Sequence, residues 1–371
     1  MAHCSTPNLC TLRACYTRGK LMTTTATIAD LTGDAVLYRD LEPCDLRLPR
    51  LAELRSSLGI AAGPVPRKRD QAYARLILAL ARADRHIRAA PPLTALAVIG
   101  DTENDQLLAS HLDALGELPA YGFIGEDRPV ATELLHWHGA IATATRWHLI
   151  EAWAATLEER GVDYPGLTIL IDIDKTLLGP RGRSDGAIDD ARAEGALKVA
   201  HTYYPELNVP AFRRIYAELC RKEWHPYTLD NQDYVVATAL LSVVGTLQLD
   251  ELRTRFDQGT PPSFAETLAA AITTTPPELV PLYREIATRV ADGDPTPFKA
   301  FRRAELIATL DRMVDGRLTL CDEVFTLCQQ LRARGAICMA ASDKPAESAI
   351  PSAEQEAAGL RALHHTPAPI G

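Results

Sequence analysis

The chain has little of what marks the specialised protein classes. Its eight cysteines, in 371 residues, never occur in C-x-x-C spacing, so neither a disulfide framework nor a compact zinc cage is predicted. Cys4, Cys10 and Cys15 alone do not make a metal site. Lysine and arginine (39) are outnumbered by aspartate and glutamate (48), giving a formal net charge of −9 without any basic run. Nucleic acid and anionic membrane are therefore not expected as partners. The longest apolar stretch, Tyr234 to Val244, is far too short to span a bilayer. Residues 1–22 lack a continuous apolar segment and read as a loose tail rather than a secretory signal, with Met22 an alternative start. No internal repeat is seen. Reduced cysteines and no leader point to a cytoplasmic protein.

What remains is ordinary globular composition, 47% hydrophobic and 23% charged, in a length that suits one core carrying a second domain. Three apolar runs end in polar residues: Leu93 to Gly100 before DTEND, Leu167 to Ile171 before DIDKT, and Ala336 to Ala341 before SDKP. Helical stripes alternate with them, at Tyr73, Leu76, Ile77 and Leu80, and at Val324, Leu327, Cys328 and Leu331 with Gly335 as the stop. Cys328 and Cys338 fall on apolar faces, where a thiol acts as a small hydrophobe. This alternation predicts an α/β fold, a doubly wound parallel sheet. Between Leu177 and Gly316 only helical patterns occur, including Phe212–Leu219 after Pro210, Asp233–Val244, and Leu279–Ile286 after Pro276-Pro277. The expected division is a tail (1–22), an α/β core (23–178 and 317–371) and an inserted helical domain (179–316). A helical stretch from Ala131 to Gly161, carrying His136, His138 and His148, is expected to lead from a strand near Tyr121–Phe123 to the LTILI strand.

Ligands of open parallel sheets bind beyond the carboxyl ends of the strands. Asp101, Asp105, Asp172 and Asp174 would all converge there, and four carboxylates repel unless a cation neutralises them. Hard oxygen donors of this kind suit Mg²⁺, which is commonly shared with a substrate phosphate. A carboxylate can attack phosphorus, and a second one can move the leaving-group proton.

The run LTILIDIDKT resembles the first motif, hhhhDxDxT, of the haloacid-dehalogenase-like hydrolase superfamily. AVIGDTEND resembles that family's last motif, hhhhGDxxxD, and RGAICMAAS its second, an apolar strand ending in Ser or Thr. The resemblance covers the sheet core, about half of the chain. It implies Asp172 as nucleophile, Asp174 as general acid/base, and Asp172, Asp174, Asp101 and Asp105 around Mg²⁺. It also implies Ser342 as a hydrogen-bond donor to the phosphoryl group and Thr176 as support for the nucleophile loop. A site lysine is implied as well; Lys68 is favoured over Lys344, because it precedes the helix leading into the last motif. Asp101 precedes Asp172 in this chain, the reverse of the family order, so the motifs read as a circular permutation with an inserted cap.

The implied activity is Mg²⁺-dependent hydrolysis of a small phosphorylated metabolite through an aspartyl-phosphate. A phosphotransferase, or a non-catalytic phosphometabolite-binding protein on the same fold, are the alternatives. Taken singly, DxDxT also fits an Asx-turn and GDTEND a helix N-cap. The cluster Arg213, Arg214, Arg221, Lys222 and His225, and the loop Arg181-Gly182-Arg183, are candidates to meet substrate anions or to be solvated surface. His364-His365 reads as a loop pair. Substrate identity and oligomeric state are left open.

Overall fold

The computed structural model describes residues 24–371. The tail at 1–22 and the grouping of Cys4, Cys10 and Cys15 lie outside them. The strands are β1 (Thr25–Ala26), β2 (Val36–Leu37), β3 (Ala95–Gly100), β4 (Ala120–Gly125), β5 (Leu135–His138), β6 (Ile141–Ala144), β7 (Leu167–Ile171), β8 (Ile337–Ala341) and β9 (Ala368–Pro369). Seven of them form one sheet in the order β2-β8-β7-β3-β4-β6-β5. All neighbours in it pair in parallel except β5, which runs antiparallel to β6 at the edge. β1 and β9 form a separate antiparallel pair.

Strand period explains the two-faced core. Ala95, Ala97 and Ile99 of β3 and Ile169 and Ile171 of β7 enter one apolar cluster, with helices Ile150–Glu159 and Asp322–Ala333. Leu96 and Val98, with Leu170, enter the cluster on the other face, with helices Gln71–Ile87 and Glu103–Ala114. Successive side chains point to opposite faces, so a strand apolar at every position must be covered on both sides. Between β7 and β8 the chain is helical throughout and has its own apolar cluster around Phe212, Trp224, Tyr227 and Tyr283. Helix Lys299–Val314 belongs to both parts. Phe301 and Ala304 pack into the helical cluster, whereas Leu306, Leu310 and Met313 pack under the sheet.

One expected element is wrong. Ala131–Gly161 is not a long helix; it contains the β5–β6 hairpin, and a helix begins only at Ile150. The cause is legible in LHWHGAIATA. Leu135 and Trp137 are half-buried while His136 and His138 are exposed, a period of two. Gly139 supplies the left-handed turn at φ 64°. His136 and His138 are therefore edge-strand residues whose rings pack edge to face, with centroids 4.4 Å apart.

Arg85 shows what holds the sheet to its covering helix. This guanidinium is 2% exposed and donates to the carbonyls of Pro91 (2.6 Å), Leu167 (2.9 Å) and Pro165. It closes the amino-terminal ends of β3 and β7 with one side chain. Arg85→Met fills the space but removes the donor to the buried Leu167 carbonyl, so it should cost about 1–3 kcal/mol. Urea denaturation measures the loss; unchanged stability would show that water replaces the guanidinium.

Candidate active site

The carboxyl ends of β8, β7 and β3, three neighbours in the sheet, carry Ser342, Asp172 and Asp101 respectively. They open into a cavity of about 280 Å³ whose wall also includes Lys68, Asp105, Asp174, Arg181 and Lys344. All six residues expected at the site thus face one space, although they span positions 68 to 342.

Asp172 leaves β7 with its backbone N–H bonded to the carbonyl of Ile99 (2.9 Å), so the pairing of β7 with β3 sets its height. Beyond it the chain turns back tightly. Leu177 N–H returns to the carbonyl of Asp172 (3.2 Å), Leu178 N–H to that of Ile173 (2.8 Å), and Lys175 takes a positive φ of 66°. At the end of β3, Asp105 occupies the third position of helix Glu103–Ala114 and completes a capping box with Thr102. Its Oδ2 accepts from Thr102 Oγ1 (2.6 Å) and Thr102 N–H (3.2 Å). The cap and the site residue are the same side chain: one oxygen holds the helix, while Oδ1 takes Lys68 Nζ at 2.7 Å. Gly100 permits this approach, since a Cβ there would stand 2.3 Å from Asp105 Cβ.

Asp101, Asp105 and Asp172 each place a carboxylate oxygen within 4.8 Å of the others, all three residues being buried. Three hard buried oxygens at this spacing could hold a metal ion. Two cations of the chain hold the group. Lys68 Nζ donates to Asp172 Oδ1 at 2.5 Å as well as to Asp105, and Arg181 Nε donates to Asp101 Oδ2 at 2.5 Å. Thr176 Oγ1 donates to Asp101 Oδ1 at 3.0 Å. Burial would lower Lys68, but Asp105 and Asp172 outweigh it and hold the ammonium well above its ordinary range. Burial, then Asp105 and Asp101, push Asp172 up against the pull of Lys68. Asp101 is pushed up to about 6, by burial and by Asp105, with Arg181 and Thr176 offsetting part of the shift.

Asp174 does not join the three. Its Oδ2 accepts from Lys344 Nζ (3.1 Å), and its buried Oδ1 has no partner among the described residues. Asp174 thus lines the cavity with the three but stands outside their carboxylate cluster, within the tight turn that follows Asp172. Of the two lysines in competition, Lys68 touches Asp172 and Lys344 touches Asp174. Lys68 lies in the turn before helix Gln71–Ile87 rather than on it. Ser342 is buried and accepts from Lys344 N–H at 3.2 Å.

The anion candidates divide. Arg181 is in the cavity, whereas Arg183 is turned away to Asp127 (2.9 Å) and Glu323 (2.8 Å). None of Arg213, Arg214, Arg221, Lys222 and His225 lines this cavity; Arg221 pairs with Glu218 at 2.9 Å on the surface. Arg192 and Arg302 of the helical segment line it instead. Both contact Glu305, which Lys344, Arg302 and Arg192 together hold well below the usual carboxylate range despite burial. One signal for this group is present in the sequence. Arg302, Glu305, Thr309 and Arg312 recur at spacings of three and four and form a buried polar stripe on helix Lys299–Val314. His364 and His365 lie outside the cavity, His365 bonded to Asp34 (2.8 Å) and His364 to Tyr38 (3.2 Å).

Set against known protein families, curated proteins and solved structures, the chain matches none of them.

The raised carboxyl of Asp101 gives a pH test. Below about pH 4 it is protonated in folded and unfolded chains alike, and its stabilising proton is retained. As pH rises through about 6 the folded state must ionise it, and that contribution is lost. Metal-free wild type should therefore lose roughly 3 kcal/mol relative to Asp101→Asn across this window. Urea melts at stepped pH measure the difference, and parallel profiles would refute the assignment.

Proposed function

We propose that the protein is a divalent-metal-dependent phosphohydrolase of the haloacid-dehalogenase-like type, with its motifs circularly permuted and the helical segment acting as a cap. The observation that carries this reading is the contact of one buried lysine, Lys68, with both Asp172 and Asp105 beside Asp101. An attacking carboxylate and an anionic ester repel each other unless fixed cations lie at the point of attack. Lys68 meets that need for both groups.

In the proposed reaction, an oxygen of Asp172 bonds to phosphorus as the ester P–O bond breaks. Asp174, as the acid, gives its proton to the departing oxygen. Its unpartnered Oδ1 and its proximity to the cavity suit this task. Asp174, now the carboxylate, takes a proton from water as that water attacks the aspartyl-phosphate, releasing inorganic phosphate and restoring Asp172. Ser342 would hold a phosphoryl oxygen throughout. Asp101, Asp105 and Asp172 are the residues that would hold Mg²⁺, which supplies charge neutralisation at the phosphoryl oxygens. The permutation reading draws support from β3 and β7 lying side by side in parallel, Ile99 opposite Ile171.

Purified protein assayed against a panel of phosphomonoesters should turn over only with Mg²⁺. Asp172→Asn, nearly isosteric, should reduce kcat by at least about a thousandfold with the fold retained by circular dichroism. Metal-dependent turnover that survives this change would dismiss the nucleophile. In a separate comparison, Lys68→Ala should abolish turnover. Lys344→Ala should lower kcat less and shift the alkaline limb of the pH profile, because Lys344 contacts the proposed acid rather than the nucleophile. The reverse ranking would exchange the two roles.

A further inference from the structure

The wall of the catalytic cavity carries a cation for which the proposed hydrolysis has no use. Arg39 follows β2, and its backbone N–H donates to the carbonyl of Lys344 at 3.0 Å, which ties it to the loop bearing Ser342. Its side chain lines the cavity beside Arg67 and Arg302. The neighbours are engaged: Arg302 donates to Asp233 and Glu305, each at 2.8 Å, and Arg67 stands 3.6 Å from Asp343. Nothing comparable holds Arg39. Its buried Nε–H finds no acceptor among the described residues. Asp343 and Asp233 attract it only from beyond contact, while burial, Arg67 and Arg302 pull the guanidinium down to about 10. A half-buried cation among like charges is costly unless an anion completes it.

Space lies on its far side as well. Arg39 and Arg67 also line an adjoining cavity of about 540 Å³, walled by Val65, Pro295 and Ala346. The two arginines thus line both cavities, the second of which is the more apolar although Asp40, Asp294 and Glu347 also border it. A planar guanidinium with free N–H groups matches carboxylate and phosphate oxygens in paired geometry.

We propose that Arg39, flanked by Arg67, receives a second anionic group of the substrate, so that the preferred esters are phosphomonoesters bearing a further carboxylate or phosphate. The inference rests on the phosphomonoester reading above and narrows its substrate class. The scissile group is served by Lys68 and Ser342 near Asp172. Arg39, tied to the loop that follows Ser342, reads what the leaving group carries.

The test uses the full chain carrying Asp172→Asn, so that ligands persist, titrated by calorimetry with phenyl phosphate, phosphoglycerate and propanediol bisphosphate. One or both of the doubly anionic ligands should bind at least about tenfold more tightly than phenyl phosphate. Preference for phosphoglycerate identifies a carboxylate, and preference for the bisphosphate identifies a phosphate. Adding Arg39→Ala should collapse the preference, and Arg39→Lys should keep part of it, which guards against a folding defect in the alanine variant. Equal binding of all three ligands overturns the proposal. So does a proportional weakening of all three by Arg39→Ala, which would assign Arg39 to the scissile group. Wild type that hydrolyses none of the esters, but whose inactive variant shows the Arg39-dependent preference, would overturn the hydrolase reading and leave this one standing.

Discussion

Three carboxylates in one buried pocket are the constraint on which the rest of this structure turns. At 4.8 Å and an effective dielectric near 20, each pair of charges repels by about 3 to 4 kcal/mol. Lys68 and Arg181 offset this, and neither is a sequence neighbour of the groups it holds. Lys68 reaches Asp105 and Asp172 across 37 and 104 positions, and Arg181 reaches Asp101 across 80. The cluster exists only once the β3–β7 pairing and the turn before helix Gln71–Ile87 have formed. Two fixed positive charges against three negative ones leave the pocket with an anionic remainder. That remainder is what a hard cation would satisfy.

A second chain of buried charges links this pocket to the helical segment. Asp174 meets Lys344, Lys344 stands 3.8 Å from Glu305, and Glu305 meets Arg302, which meets Asp233 at the start of helix Gln232–Val243. Helix Lys299–Val314 carries Arg302 and Glu305, and it packs into both apolar clusters. Removing one member of such a chain strands its partner as an uncompensated buried charge, usually worth about 3–5 kcal/mol. The proposed acid is therefore held by a lysine whose other neighbour belongs to the helical segment. Any rearrangement of that segment over the sheet would be felt at Asp174 through Glu305 and Lys344.

The parallel sheet is legible in the sequence because the inner strands β3, β7 and β8 are apolar almost throughout, Thr168 excepted, a pattern that suits a short segment covered on both faces. The approach of Lys68 to the acids is legible only through its place ahead of the GDTEND strand, since no spacing rule connects position 68 to 172. The hairpin at Leu135–Ala144 escapes the helical expectation for a local reason: three histidines and scattered alanines obscure a four-residue alternation. Asp174 shares the cavity but stands apart from the other three, because the strand ends at Ile171 and the two-residue spacing from Asp172 lies beyond it. Arg39 belongs to no motif, and Arg192, Arg302 and Glu305 are not picked out by any either, because buried ion pairs leave almost no local trace. Only the polar stripe on helix Lys299–Val314 hints at them.

The chain's course bears on the permuted reading. Thr25 and Ala26 pair with Pro369 and Ala368, so the two ends of the described chain lie against each other in β1 and β9. A covalent joint between them would be short, and opening one there changes few contacts. What must be preserved is the spatial order β8-β7-β3, because the adjacent ends of those strands set Ser342, Asp172 and Asp101 around one cavity. Chain order enters only through the connections. From β4 to β7 the route runs through the edge hairpin and helix Ile150–Glu159, which also covers one face of the sheet. From β7 to β8 it runs through the whole helical segment. Asp172 itself is fixed by the pairing of β7 with β3, through the carbonyl of Ile99. The geometry of the pocket is thus set by strand adjacency, and reordering the motifs along the sequence leaves it intact.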